Sequence, residues 1–200
     1  MTRKIRIINY KSGNIASVSN ALARLGHSPE PAMGPADLRT ADKLIFPGVG
    51  HARPAMKVLN DNGLADAIRN FRGPVLGICL GMQLMASCSE EGDTPGMDIF
   101  PEKVRLFVNG NASPELKIPH MGWNTVFGLR GPLFDGIPES SHFYFVHSYY
   151  MEASPQATAL CHYGRDFTAA LEMNNFYGVQ FHPEKSGEAG MTLLKNFLAL

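Results

Sequence analysis

Residues 75–86 read VLGICLGMQLMA. An apolar run, Val75 to Ile78, reaches a cysteine with a glycine two positions away on either side, Gly77 and Gly81. The run is short enough for a buried strand. The segment after Cys79, LGMQLMASCS, has the spacing of a helix over 80–88. A strand that passes through a tight glycine-flanked turn into a helix is half of a βα unit, so these twelve residues point to an α/β fold. They also pose a chemical question, because Cys79 could be a nucleophile at the turn or a small apolar residue in the core.

The segments upstream repeat the same grammar. IRII (5–8) reads as a buried strand and is followed, after the turn-like KSGN (11–14), by a helix with Val18, Ala21, Leu22 and Leu25 on one face. KLIFPGVG (43–50) is a short apolar strand that ends in a glycine-rich loop, and residues 55–71 read as one or two helices interrupted near Asn62-Gly63. Strands alternating with helices predict a parallel sheet with helices on both faces. After about residue 98 the segments KVRLF, HMGWNTVF, HFYFVHSYYM, ATALCHYG and TAALEM are strand-like and separated by turn residues. Asn174-Asn175 is a hairpin turn between TAALEM and FYGVQFH. A final helix, GEAGMTLLKNFLAL, places Met191, Leu194 and Leu198 on one face. The expected architecture is an open twisted α/β sheet in a single domain over 1–200. Its core is parallel, and the second half of the chain adds antiparallel strands to it.

Composition narrows the class of function. Lys and Arg together number 18 and Asp and Glu together 18, so no net field draws nucleic acid or an anionic membrane surface. With 44% hydrophobic and 18% charged residues the chain can bury a core, which argues against disorder. Cys79, Cys88 and Cys161 are odd in number and lack the spacing of a disulfide framework. The start, MTRKIRIINY, is too short and polar for a signal peptide, and no apolar run approaches the roughly 20 residues of a membrane-spanning helix. A cytoplasmic protein is expected.

Cys79 lies in G-x-C-x-G between a strand and a helix, the setting of a nucleophile elbow. Flanking glycines let the turn approach neighbouring strands where a β-carbon would collide. The helix start behind the sulfur favours thiolate, the reactive form. This pattern alone does not separate a nucleophile from a buried thiol. VQFHPEKS (179–186) supplies the missing parts. His182 leaves a strand end, where open α/β sheets gather their sites, and Pro183 stops the strand. Glu184 can orient the imidazole, completing a nucleophile–base–orienter set. Thiolate attack on a carboxamide needs donors for the oxyanion. The amide of Leu80 is one candidate, and Val49 or Gly50 in the Pro47–Gly50 loop the other.

GICLGMQL followed at a distance by FHPEKS resembles the class I, or triad, glutamine amidotransferases. PGVGHA (47–52), PHMGWN (119–124), FYFVHSY (143–149) and NFYGVQFHPEKSG (175–187) narrow the likeness to the glutaminase subunits of imidazole glycerol phosphate synthases, over nearly the whole chain. The resemblance implies hydrolysis of L-glutamine to glutamate and ammonia. The ammonia would pass to a cyclase subunit with a (β/α)₈ barrel, which makes imidazole glycerol phosphate and the purine precursor AICAR in histidine biosynthesis. It implies Cys79 as nucleophile, His182 as general acid/base and Glu184 as its orienter. Gln83, Gly50 and the Ser148-Tyr149 backbone would hold glutamine, and Asn14, Trp123, Tyr144 and Lys185 would lie near the cyclase. The first strand departs from many members in ending Ile8-Asn9-Tyr10, where they carry an aspartate.

Plainer readings exist for several of these residues. Trp123 and the aromatics of 144–150 also suit sheet packing, Lys185 a solvated position, and Cys88 and Cys161 the core. His120, His147 and His162 lack metal-ligand spacing, and neither a metal nor a cofactor is expected. Two other functions share the elbow and the H-P-E end: an amidotransferase serving a different synthase, and a silent scaffold that activates a partner. PHMGWN and FVHSY weigh against the first, and the intact Cys79, His182 and Glu184 against the second.

Overall fold

The computed structural model describes residues 4–10, 14–108 and 116–200, so Lys11, Ser12 and Gly13 of the KSGN turn lie outside the described residues. In chain order, β1 (Ile5–Ile8), α1 (Ile15–Arg24), β2 (Glu30–Ala32), α2 (Pro35–Leu38), β3 (Lys43–Gly48), α3 (Ala52–Asp61), α4 (Leu64–Arg69), β4 (Val75–Cys79) and α5 (Leu80–Leu84) form the first half. Next come β5 (Ala86–Ser89), β6 (Thr94–Pro95), β7 (Phe100–Leu106), β8 (His120–Phe127), β9 (His142–His147) and β10 (Tyr149–Met151). The chain then runs through β11 (Ala157–His162), β12 (Asp166–Met173), β13 (Phe176–Val179) and α6 (Gly187–Ala199).

Among the described residues, nine strands form one sheet in the order β2-β1-β3-β4-β13-β12-β11-β8-β9. The β2, β1, β3, β4 and β13 strands are parallel, and each pair from β13 to β9 is antiparallel. Successive residues of the parallel strands bury into opposite layers. Ile7, Ile45, Leu76 and Ile78 meet Val18 and Leu22 of α1 and Leu194 and Phe197 of α6. Ile8, Leu44, Phe46 and Val75 meet Met56 and Leu59 of α3 and Leu64 and Ile68 of α4. Burial on both faces explains why these strands read as continuous apolar runs. The turn at Asn174 is made in the left-handed region (φ 56°), and Met173 pairs with Phe176 across it, as expected. Gly63, also left-handed at φ 68°, separates α3 from α4.

Three expectations need correction. The helix after Cys79 ends at Leu84, because the chain at 97–100 takes its carbonyls. Met97 N–H donates to Leu84 O, Ile99 and Phe100 N–H to Met85 O, and Asp98 N–H to Ala86 O. Gly96 permits this crossing, since a β-carbon there would run into the Ala86 carbonyl. Cys88 therefore lies in a strand, β5. Second, the later strands do not all extend the main sheet: β10-β7-β5-β6 form a separate four-stranded sheet, with β5 and β7 parallel. HFYFVHSYYM is consequently two strands in two sheets, divided at Ser148. Third, α6 buries Leu193, Leu194, Phe197 and Leu198, and Met191 stays half-buried at the edge of that face.

Candidate active site

Register brings the three expected catalytic groups together. β4 lies between β3 and β13, with Gly48 opposite Cys79 and Val179 opposite Ile78. Cys79 ends β4 at φ 53°, ψ −111°, a conformation that L-residues seldom adopt and that marks stored strain. Packing fixes it. A β-carbon on Gly81 would strike the Phe46 carbonyl, and one on Gly77 would meet Met82 N and the Met85 side chain. Both glycines of G-x-C-x-G are thus required by close approach to the adjoining turn and strand. As first residue of α5, Leu80 has an amide with no acceptor within the helix.

His182 lies three residues past β13. Its backbone N–H donates to Tyr144 O at 2.9 Å, and Tyr144 N–H donates to Ser186 Oγ at 3.0 Å. Ser186 Oγ–H in turn donates to His182 O at 2.6 Å. The far antiparallel strand β9 therefore clamps the H-P-E-K-S turn. No local pattern signals this, because pairing between residues 144 and 182 depends on the curl of the sheet.

The His182 Nδ1 bonds Glu184 Oε1 at 2.9 Å, and neither side chain is more than 2% exposed. Among the described residues, Nε2 is buried without a hydrogen bond of good geometry, yet it lies near enough to the Cys79 sulfur to be governed by it. Burial opposes an imidazolium here. The sulfur and the Glu184 carboxylate outweigh it, and the His182 pKa rises to about 10. A buried imidazolium bracketed by sulfur and carboxylate is the arrangement that activates a thiol.

Cys79, Leu80 and His182 open onto a cavity of about 590 Å³, also lined by Val49, Gly50, Gln83, Glu91, Ser148 and Tyr149. Every residue expected from the sequence to hold substrate or oxyanion thus lines one cavity with Cys79. The size lies within the usual range for a small-molecule site. Gly50 has φ 102°, a loop conformation suited to glycine. Gln83 donates to Tyr149 O and to Gln180 Oε1, each at 2.9 Å. Gln180, fully buried, donates to the Cys79 sulfur at 3.6 Å.

The residues expected at a partner face also cluster, with one exception. Trp123 is 57% exposed, its ring centroid lies 6.2 Å from that of Tyr144, and the Lys185 ammonium lies 5.8 Å above the Tyr144 ring. Asn14 stands apart from these three in reaching inward: its Nδ2 donates to Glu184 Oε1 at 3.0 Å. That contact, Gln180 and Glu91 were not legible in the sequence. Glu91 accepts from Ala52 N–H at 2.7 Å and from His51 Nδ1, bracing the loop that carries Val49 and Gly50. The position of Gln180 two residues before His182 was the one available hint.

The sequence matches the glutamine amidotransferase class-I family over residues 7–200. It is 49% identical over 197 residues to the imidazole glycerol phosphate synthase subunit HisH of Bacteroides fragilis, covering 98% of this chain and 100% of that protein. The subunit of the same name in Escherichia coli K12 is 47% identical, covering 97% and 98%. Among solved structures, a glutamine amidotransferase superposes with a TM-score of 0.74 at 18% identity, over 98% of this chain and 97% of that one. PurLQS from Thermotoga maritima does so with a TM-score of 0.69 at 17% identity, over 100% and 99%, and likenesses at that identity speak to the fold. The chain belongs to the class I glutamine amidotransferases and, within them, to the family of the HisH subunits of imidazole glycerol phosphate synthase.

Proposed function

We propose that the chain hydrolyses L-glutamine through a Cys79 thioester and passes the ammonia to a cyclase subunit with a (β/α)₈ barrel, in a cytoplasmic heterodimer. The observation that carries this reading is the meeting of His182 with Cys79 at the cavity wall, with Glu184 behind the imidazole. The thiolate attacks the side-chain amide carbon to give a tetrahedral intermediate. Its oxyanion is met by the amide of Leu80 and by that of Val49 or Gly50. His182 gives a proton to the departing nitrogen, ammonia leaves, and a thioester remains. Water then gives its proton to His182 and attacks the thioester, releasing glutamate and restoring the thiolate–imidazolium pair. Glu184 holds the imidazole and stabilises its charge.

Gln83, Gly50 and the Ser148–Tyr149 backbone hold the amino-acid end of glutamine. Glu91 adds a carboxylate on the cavity wall suited to the α-ammonium. Val49, Leu106 and Ile118 are exposed, apolar and line the cavity, and Met121 and Trp123, also exposed, lie two residues apart on β8. A docked cyclase covering these exposed apolar side chains keeps ammonia out of bulk water, where it would be protonated. The cyclase then uses it to convert a phosphoribulosyl-formimino aminoimidazole carboxamide ribotide to imidazole glycerol phosphate and AICAR. All of 1–200 serves as one glutaminase domain. No helix among the described residues is long and apolar enough to cross a membrane.

The test is Cys79→Ala assayed with the cyclase. Glutamine-dependent synthesis is lost and ammonia-dependent synthesis persists; retained glutamine turnover would overturn the assignment. Measured alone, with cyclase, and with cyclase plus ribotide, the wild-type glutaminase rate rises stepwise. Equal rates in all three states would reject a site completed by its partner.

A further inference from the structure

Two buried histidines lie outside the triad, and both touch its surroundings. His120 Nδ1 is 3.0 Å from His147 Nε2, and His147 Nδ1 is 2.7 Å from the Tyr149 carbonyl oxygen. At the other end His120 Nε2 is 3.2 Å from Asn124 Nδ2, which also donates to the His162 carbonyl at 3.0 Å. The Thr125 N–H donates to Asn124 Oδ1 at 2.8 Å. Backbone groups therefore fix the proton order from both ends. Asn124 must offer N–H to His162 O, so its other N–H goes to His120 Nε2. His120 then carries its proton on Nδ1 and gives it to His147 Nε2, which leaves His147 an Nδ1–H for Tyr149 O. Only one tautomer of each ring satisfies the chain.

The surroundings keep both rings uncharged. His120 stacks on Tyr163 and Phe145 with centroids 4.0 and 4.9 Å away, and His147 lies among Phe107, Phe145 and Phe167. Burial lowers the pKa of His120 to about 4 and of His147 to about 3. A histidine pair so enclosed, with every ring nitrogen committed, contributes neither charge nor a labile proton. What it does contribute is a fixed donor.

That donor closes on a consequential carbonyl. Ser148 is where the chain leaves the nine-stranded sheet for the four-stranded one, and His147, Ser148 and Tyr149 all line the cavity. The bond from His147 to Tyr149 O spans this bend. The same carbonyl accepts from Gln83, whose other N–H meets Gln180 Oε1, whose amide in turn donates to the Cys79 sulfur. Flipping the Gln83 amide would set its oxygen against the Tyr149 and Gln180 oxygens, acceptor against acceptor, and flipping Gln180 would set its N–H₂ against that of Gln83, donor against donor.

We propose that His120 and His147 are positioning residues of the glutaminase reaction, a neutral relay that braces the Ser148 bend and, through Tyr149 O, fixes the amides of Gln83 and Gln180 against substrate and sulfur. This rests on the reading of Cys79 as nucleophile and of the 148–149 bend as the glutamine holder. Asn in place of His147 keeps an N–H where Nδ1 stands; Leu keeps bulk and offers none.

The experiment compares His147→Leu, His147→Asn and His120→Phe in complex with the cyclase, each checked by melting and by complex formation. His147→Leu raises the KM for glutamine tenfold or more with a smaller fall in kcat, and His147→Asn recovers most of that loss. His120→Phe, which keeps the ring stack, shows a several-fold rise in KM. Wild-type KM in His147→Leu, or equal loss in the Leu and Asn variants, overturns the relay. If the Leu variant does not fold, the His120→Phe result decides, with unchanged KM counting against it. Cys79→Ala is run alongside: activity there would fault the nucleophile assignment, whereas an inactive Cys79→Ala with a normal His147→Leu faults the relay alone.

Discussion

Asn14 Nδ2 donates to Glu184 Oε1 at 3.0 Å, joining residues 170 positions apart in the chain. The residue that opens α1 thereby holds the same carboxylate oxygen that orients His182. A single oxygen serves both bonds, so moving Asn14 lets the carboxylate rotate away from the imidazole. Lys185, next in the chain after Glu184, carries the Tyr144 contact, so the expected partner face and the triad meet within two residues of one turn.

Asn14→Ala is therefore expected to lower glutaminase kcat/KM about tenfold, the scale set by losing one hydrogen bond to a charged group, worth about 1.5–3 kcal/mol. Asn14→Asp, which sets a second carboxylate against Glu184, is expected to cost more. Steady-state assays with saturating cyclase check both. An unchanged Asn14→Ala would show that the contact does not orient the triad.

Strain at Cys79 gives a second outcome. Its φ of 53° and ψ of −111° are easy for glycine and costly for any residue with a β-carbon. Cys79→Gly and Cys79→Ala both lack a nucleophile, so both are inactive, but only alanine retains the strain. Relief of about 1–3 kcal/mol, partly offset by the extra freedom of glycine in the unfolded chain, about 0.4–1 kcal/mol, leaves about 1 kcal/mol in favour of glycine. For a chain of this size that is about 2–4 °C in Tm. Calorimetry showing Cys79→Ala at or above Cys79→Gly would mean that the elbow is unstrained.

The His182–Glu184 pair predicts pH dependence. In the folded state the His182 pKa is raised to about 10, above the ordinary histidine value of 6.5. Its contribution to stability is complete below about pH 6.5, where folded and unfolded chains both hold the proton. It declines as pH rises toward 10 and the folded state must give the proton up. Glu184→Gln removes one of the two groups that raise this pKa, so the alkaline limb of the glutaminase profile should move to lower pH, by about one unit or more on the scale of a nearby opposite charge. A profile that keeps its alkaline limb in Glu184→Gln would assign that limb to another group.

How much of this was legible from residues alone follows a physical division. Local chemistry was readable: the apolar runs of the parallel strands, the Asn174 turn and the G-x-C-x-G elbow all depend on neighbours a few residues away. The meeting of Cys79 with His182 and Glu184 could be anticipated because strand ends in α/β sheets converge. The length of α5 was not readable, because the 97–100 segment decides it by taking the carbonyls of Leu84, Met85 and Ala86. The division of HFYFVHSYYM at Ser148 was hidden for the same reason, since two sheets claim its two halves. Asn14, Gln180 and the His120–His147 pair act through partners 27 to 170 positions away, and no local pattern encodes those meetings.

Gln180 yields the last outcome. It is fully buried and spends its amide on two neighbours, accepting from Gln83 and donating to the Cys79 sulfur at 3.6 Å. A donor aimed at sulfur favours the thiolate over the thiol. Gln180→Met keeps volume and removes both bonds, so the thiolate loses a donor and Gln83 loses an acceptor. Gln180→Glu keeps the shape and the acceptor for Gln83 but sets negative charge or a competing oxygen against the sulfur. Glutaminase kcat/KM is expected to fall about tenfold in Gln180→Met, on the scale of one hydrogen bond to a charged group. It should fall further in Gln180→Glu, since the carboxylate opposes the very charge the donor supported. The rate of Cys79 alkylation by a reactive glutamine analogue, compared between the two variants, separates this from a packing defect. A donor effect slows alkylation in both and most in Gln180→Glu. A packing defect, which the shape-keeping glutamate hardly introduces, slows it most in Gln180→Met.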